Sequence, residues 1–507
     1  MNTELIWERP PKRRHAATIS LVGGYFNLGL TIVQGFLLVP LYLKFFGPRL
    51  YGLWLASGGI LAWLAALDMG LASLMTQRIS RAFGQKDVRG VSLYFFNGLI
   101  LQLLLMCLLL GGAALIASWV PIWFQANVHE AALLKGCFFL AAVAMALSVL
   151  NDGAAGLSQS LQRPLFMIVA TATCTLVGLL ATIAFLFWDW GLWAIPSGLM
   201  VRNTSLFSGN LIYSLWLVSR TGVPMRYDRA VMFDIVRLSP ALFASRFGSR
   251  FAGSIEPTLI TIMFQPELAA AFAITKRVVD MIKLVLDRFA GAVFSGFSHM
   301  YARGEMRKAA DVAYQVLTLL FIAGLTFMGA YIVGNESFVG LWVGVSHFAG
   351  QNVTILLSIA VFIAVASNLF SYLLGAMGDI TKPALLILAE AVLRFVLMVS
   401  LLPVLGIVGL PVAMIISSLS IGIIFFKRFG QRLGTSFYKQ IKPIQSFCIL
   451  LLVGGSAVLL PYNVICTQWW QLVAFISGFL ILSSAVMLVF YYPVFIEILP
   501  FLKHKKN

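Results

Sequence analysis

The sequence predicts an all-α polytopic membrane protein of about 14 transmembrane helices, arranged as two six-helix bundles plus two C-terminal helices. The bundles are expected to be related by a pseudo-two-fold axis along the membrane normal. Three observations lead there: an apolar composition, unbroken apolar runs, and landmarks that recur at a nearly constant offset. Of the 507 residues, 60% are apolar and 11% charged, with a mean hydropathy of +0.93. Soluble domains sit nearer half apolar and a quarter charged, and disordered chains need the opposite composition. Five cysteines in so long a chain do not make a disulfide scaffold. Runs such as 99–110 contain no polar alternation beyond Gln102, which excludes an outer-membrane barrel.

Charge, Pro and Gly clusters divide the chain into apolar segments at 17–43, 51–77, 92–119, 132–157, 165–188, 191–219, 233–262, 268–297, 310–334, 352–377, 383–404, 406–426, 443–461 and 468–492. The first follows Arg9, Lys12, Arg13 and Arg14 and is too long for a signal-peptide core, so an uncleaved helix is expected. The net charge of +17 reflects cytoplasmic loops rather than a nucleic-acid surface. With the N-terminus inside, 25 of the 36 Lys/Arg fall on inner connections and tails, and the outer connections hold Lys44, Arg49 and Lys135. That split predicts a multi-pass membrane protein with both termini cytoplasmic.

The halves repeat. Gly47-Pro48-Arg49-Leu50 has a counterpart in Gln265-Pro266-Glu267-Leu268, and Phe83-Gly84-Gln85 in Arg303-Gly304-Glu305. The stretch from Gly156 to Pro164 matches that from Gly375 to Pro383, so the offsets are 218, 220 and 219. Six helices return the chain to the side it entered from, which gives parallel repeats with a site between them. The expected domains are 1–221 and 222–430, each a six-helix bundle, and 431–507 with the two additional helices and the tail.

Residues 46–54 (Phe46-Gly47-Pro48-Arg49-Leu50-Tyr51-Gly52-Leu53-Trp54), then Leu67-Asp68-Met69-Gly70-Leu71 and Gln77-Arg78-Ile79-Ser80-Arg81, resemble the opening of polysaccharide exporters. These are the O-antigen and teichoic-acid flippases of the multidrug/oligosaccharidyl-lipid/polysaccharide (MOP) exporter superfamily. The motifs cover roughly the first 90 residues; beyond them the resemblance is one of architecture. It implies alternating access between two bundles, with a cationic cavity admitting the head of an undecaprenyl-diphosphate-linked oligosaccharide. The bacterial cytoplasmic (inner) membrane is the location that this resemblance implies. Membrane lipid is an implied partner, as is a polysaccharide polymerase or other assembly protein. In the lipid II branch two extra helices line a groove for the lipid tail, a role open to the last two segments here.

The candidate chemistry lies in charges placed within the apolar segments, where each is expensive and tends to face water or a partner. Eight are basic (Arg202, Arg246, Arg250, Lys276, Arg277, Lys283, Arg288, Arg394), against a counted five acidic (Asp68, Glu256, Asp280, Asp287, Glu390). This surplus favours an anion over a cation. The segment 268–297 carries Lys276, Asp280, Lys283 and Asp287 on one helical face, flanked by Arg277 and Arg288. The lysines and aspartates can pair at i,i+4, which either leaves the arginines for an anionic ligand or makes the stripe a neutral wetted wall. Arg246 and Arg250, one turn apart, suit a diphosphate, unless Glu256 neutralises one of them. Arg202 serves the cavity or the outer interface. Arg394 reads as a structural ion pair with Glu390. Asp68 is a proton or sodium site, or a hydrogen-bonding group near the outer side. Asn27, Thr31 and Gln34 form a polar face suited to sugar hydroxyls or to interhelical bonds.

No phosphate-loop motif appears, and the five histidines and five cysteines show no metal-ligand spacing, so neither cofactor nor metal is expected. The leading reading is a flippase for undecaprenyl-diphosphate-linked oligosaccharide. A drug/cation antiporter of the same superfamily comes second. An integral-membrane glycan polymerase comes last, because such chemistry needs a structured outer pocket and the outer connections are short.

Overall fold

The computed structural model describes residues 13–503 except 67, 69, 221, 238–242, 244–246, 249, 252, 380 and 435–465. Segment 443–461 and Arg246 therefore lie outside the described residues, and between 238 and 255 the segment 233–262 is described only in part. The described elements are all helical. They are α1 (Arg13–Ala66), α2 (Leu71–Gly84), α3 (Val88–Ala117), the short α4 (Val120–Trp123), α5 (Val128–Ser160), α6 (Pro164–Phe187), α7 (Ala194–Ser219), α8 (Arg229–Arg237) and α9 (Glu256–Met263). After them come α10 (Pro266–Ala302), α11 (Met306–Trp342), α12 (Gln351–Ala376), α13 (Thr381–Leu405), α14 (Gly409–Leu433) and α15 (Trp469–Lys503). Eight stretches among the described residues are long and apolar enough to cross a membrane, and two of them, Val22–Ala65 and Thr381–Leu433, run to 44 and 53 residues. The chain is a multi-pass membrane protein.

Local chemistry explains most boundaries. Asp87 caps α3 by accepting a bond from the Gly90 amide at 2.8 Å. Asn127 and Glu130 form a capping box at the start of α5, and Pro164 opens α6 in the first turn. Two boundaries differ from expectation. The connection expected between the first two segments is not one of them: Gly47 is non-helical (φ 75°, ψ 172°), so Arg13–Ala66 holds two helices that meet across a kink just before Pro48. The second segment, expected to be continuous over 51–77, is instead divided: α1 ends at Ala66, Gly70 is left-handed (φ 70°) and α2 begins at Leu71. At the far end of the chain, α11 extends past 334 to Trp342, so Glu336 is helical and the connection to α12 is confined to 343–350.

The chain forms two compact units, 1–269 and 270–507. In the first unit, α5 and α7 are joined by a polar ladder: Asn203 donates to Ala144 O (2.7 Å), Asn210 to Asn151 Oδ1 (2.8 Å) and Ser214 to Ala154 O (2.7 Å). In a membrane, where apolar contact alone does not favour protein over lipid, such bonds specify helix register. Below the ladder a core of Met75, Ile79, Val91, Phe95, Leu157 and Leu217 unites α2, α3, α5 and α7. Described residues within 226–267 also pack here. Asn97 binds Arg226 O and the Asp228 amide, Arg78 pairs with Asp234 at 2.8 Å, and Thr258 donates to Ala56 O. A side-chain carbon on Gly52 would lie 1.8 Å from Pro266 O, so only glycine allows this approach. The unit boundary and the boundary drawn from the repeat thus differ by the stretch 222–269.

In the second unit, Thr275 is the organising residue. Its carbonyl accepts from Tyr331 and Asn335, and its hydroxyl accepts from the Ala349 amide at 2.8 Å. The described part of α15 packs on α11, where Ala330, Ile332, Val333 and Phe479 form a small core. A side-chain carbon on Gly334 would meet Ile476 at 2.8 Å, which shows how closely the two helices approach.

Candidate functional site

The charged stripe of α10 is built by helical spacing alone. Lys276 Nζ lies 3.7 Å from Asp280 Oδ1, and Lys283 Nζ lies 2.6 Å from Asp287 Oδ2. Asn368 of α12 donates to the other Asp287 oxygen at 3.3 Å. Lys276 is buried, while Asp280 is half-exposed. Two cations remain after these pairings. Arg288 is exposed, and Arg277 is half-buried with Nε enclosed and without a hydrogen-bond acceptor among the described residues. The stripe thus holds two ion pairs, with Arg277 and Arg288 outside them.

The remaining candidates are distributed through the chain. Arg394 is fully engaged: its guanidinium reaches Glu390 (2.5 Å), Ser417 (3.1 Å) and Ser418 (2.8 Å), and Ser418 donates to the same Glu390 oxygen at 2.7 Å. A buried pair satisfied on this scale holds α13 to α14. Arg202 sits on α7 with Nε 3.3 Å from Thr175 of α6. Arg250 is exposed in a helical turn before α9, and Glu256 is buried in the first turn of α9. Asp68 is buried in the break between α1 and α2, where its carbonyl accepts from the Leu71 amide. Asn27 and Thr31 turn toward backbone, donating to Ile168 O (3.2 Å) and Asn27 O (2.9 Å), while Gln34 is half-buried.

Two features went unseen in the sequence. Asp152 lies on α5 inside the segment 132–157, a carboxylate that the five counted acids leave out. It lines a cavity of about 450 Å³ together with Ser73, Thr76, Gln77 and Gln159. The signal was available as a carboxylate within a run of Ala, Gly and Leu, with Gln159 two turns on. The second is a clamp that joins distant stretches. Arg49 grips Glu130 with two bonds of 2.8 and 3.3 Å and lies 3.6 Å from Glu267. No group of three His, Cys, Asp or Glu suited to a metal occurs among the described residues. In the 343–350 connection, burial holds the His347 imidazole below its usual pKa and so favours its neutral form.

No protein-family model and no curated protein sequence matches the chain. Solved structures do match its fold. A MATE transporter in complex with MaD3S shares 16% identity over 87% of this chain and 99% of its own, with a TM-score of 0.62. An inward-facing multidrug-resistance MATE transporter of the MOP superfamily shares 14% identity over 80% and 94%, with a TM-score of 0.62. A MOP superfamily transporter from Pyrococcus furiosus, described as having a binding pocket of reversed polarity that suggests a different function, shares 14% over 85% and 98%, with a TM-score of 0.61. At these identities the likeness is one of fold: the chain has the architecture of MATE-type members of the MOP superfamily.

Proposed function

We propose that the chain is a secondary transporter of the bacterial cytoplasmic membrane working by alternating access, not an enzyme. Its cargo on this reading is an undecaprenyl-diphosphate-linked oligosaccharide, moved to the outer leaflet for cell-surface polysaccharide synthesis. The observation that supports an anionic cargo is the imbalance along α10. Each lysine is matched by an aspartate one turn on, so Arg277 and Arg288 carry the net charge of the stripe. A diphosphate leaving water needs its charge matched by fixed donors, and planar guanidinium forks suit it. The polymerase reading is weakened by the shortness of the connection at 343–350.

The second reading is a drug/cation antiporter. The multidrug transporters among the matching structures favour it. On structural likeness this reading has at least equal support. Proteoliposomes containing the purified protein separate the two. The flippase reading expects undecaprenyl-diphosphate-N-acetylglucosamine to reach the opposite leaflet, with movement falling about tenfold or more in Arg277→Ala/Arg288→Ala. Gradient-driven ethidium efflux without lipid movement would replace it with the antiporter.

A further inference from the structure

We propose that the cavity between α2 and α5 binds the polyhydroxylated head of the cargo, with Asp152 as its anchoring acceptor. This rests on the flippase reading and gives it a sugar site away from the charged stripe. The cavity is built by two helical faces. On α2, Ser73, Thr76 and Gln77 recur at spacings of three and one, so they share a face. On α5, Asp152, Gly156 and Gln159 do the same at four and three. Met167 of α6 supplies an apolar patch.

The two faces are held at a fixed separation. A side-chain carbon on Gly156 would stand 2.5 Å from Thr76 Oγ1, so glycine is what admits the threonine. One turn on, Ser160 Oγ lies 3.0 Å from Thr76 O and 2.7 Å from Gly156 O, linking α5 to α2 beside the cavity. Thr76 donates its own proton to Ala72 O at 2.8 Å, which leaves its lone pairs to accept. Ser73, Gln77, Asp152 and Gln159 are all accessible from the cavity side.

The chemistry of this lining selects its ligand. A carboxylate accepts from two adjacent hydroxyls, while two carboxamides and two hydroxyls offer both donors and acceptors. Vicinal sugar hydroxyls, each a donor and an acceptor, satisfy such a set. An organic cation does not: four of the five polar groups carry no charge, and no aromatic face lines the cavity among the described residues. The volume lies within the range of small-ligand sites.

The test compares two affinities in the full-length protein in nanodiscs. The probes are undecaprenyl-diphosphate-N-acetylglucosamine and sugar-free undecaprenyl diphosphate, with tetraphenylphosphonium as the cation. Asp152→Asn and Gln159→Ala are each expected to weaken the sugar-bearing lipid about tenfold, in line with the loss of a charge-assisted or paired hydrogen bond. Binding of the sugar-free lipid should not change. Equal losses for both lipids, or no loss for either, would overturn the sugar site while leaving the flippase reading in place. If the wild-type protein binds neither lipid but binds tetraphenylphosphonium through Asp152, the flippase reading falls, and the sugar site with it.

Discussion

The stripe of α10 and the cavity between α2 and α5 use polar residues at the same helical spacing, yet they end in opposite states. On α10 the partners stand four apart on one helix, so Lys276–Asp280 and Lys283–Asp287 close on themselves. On α2 and α5 the polar faces belong to different helices, and their residues are mostly neutral. There the two faces line a cavity instead of pairing lysine with aspartate along one helix. Charge count along one segment is therefore a poor measure of a binding site. What matters is whether the partner lies on the same helix or across a gap.

If pairs within one helix are structural, the buried Glu390–Arg394 pair should show the largest effect. Arg394→Met leaves Glu390 and two serines without their cation, and a loss of about 3–5 kcal/mol is expected. Glu390→Gln/Arg394→Met should recover most of it in thermal unfolding of the solubilised protein. A double variant no better than the single one would show that the arginine acts beyond its pair.

The stability of the contact between α2 and α5 should respond to volume rather than charge. Gly156→Ala forces a carbon against Thr76 Oγ1 and should lower stability by about 1–3 kcal/mol. Removing the clash with Thr76→Ala in the same chain should restore the melting temperature. Failure of that rescue would mean that Gly156 is needed for something other than the approach of α2.

The smallest effect is expected at the half-exposed Lys276–Asp280 pair. Asp280→Asn should lower stability by about 1 kcal/mol or less, with partial rescue by Lys276→Met. A transport defect of equal size in the single and double variants would instead assign Asp280 a direct part in binding or coupling, and would move α10 from the structural side of the comparison to the functional one.

Much of the fold was legible before any coordinates. Hydrophobic runs located α3, α5, α6, α12 and α13 to within a few residues, because a bilayer demands about 20 apolar residues per crossing whatever the packing. The i,i+4 pairs of α10 were legible for a similar reason, since helical geometry fixes their neighbours locally. The break between Ala66 and Leu71 was harder to see. Asp68-Met69-Gly70 interrupts an otherwise apolar run, and hydropathy does not register a left-handed glycine.

The class of the protein, its multi-pass character and the positions of its in-membrane charges were set by the sequence alone, because each follows from composition or from local periodicity. Tertiary structure decided which residues meet across the chain. Arg49 meets Glu130 from 81 residues away, and Gly52 lies against the backbone of Pro266. Asp152 becomes part of a cavity only because Gly156 lets Thr76 approach from another helix. Such contacts depend on how helix faces meet across long stretches of chain, and no period within a single segment encodes that meeting.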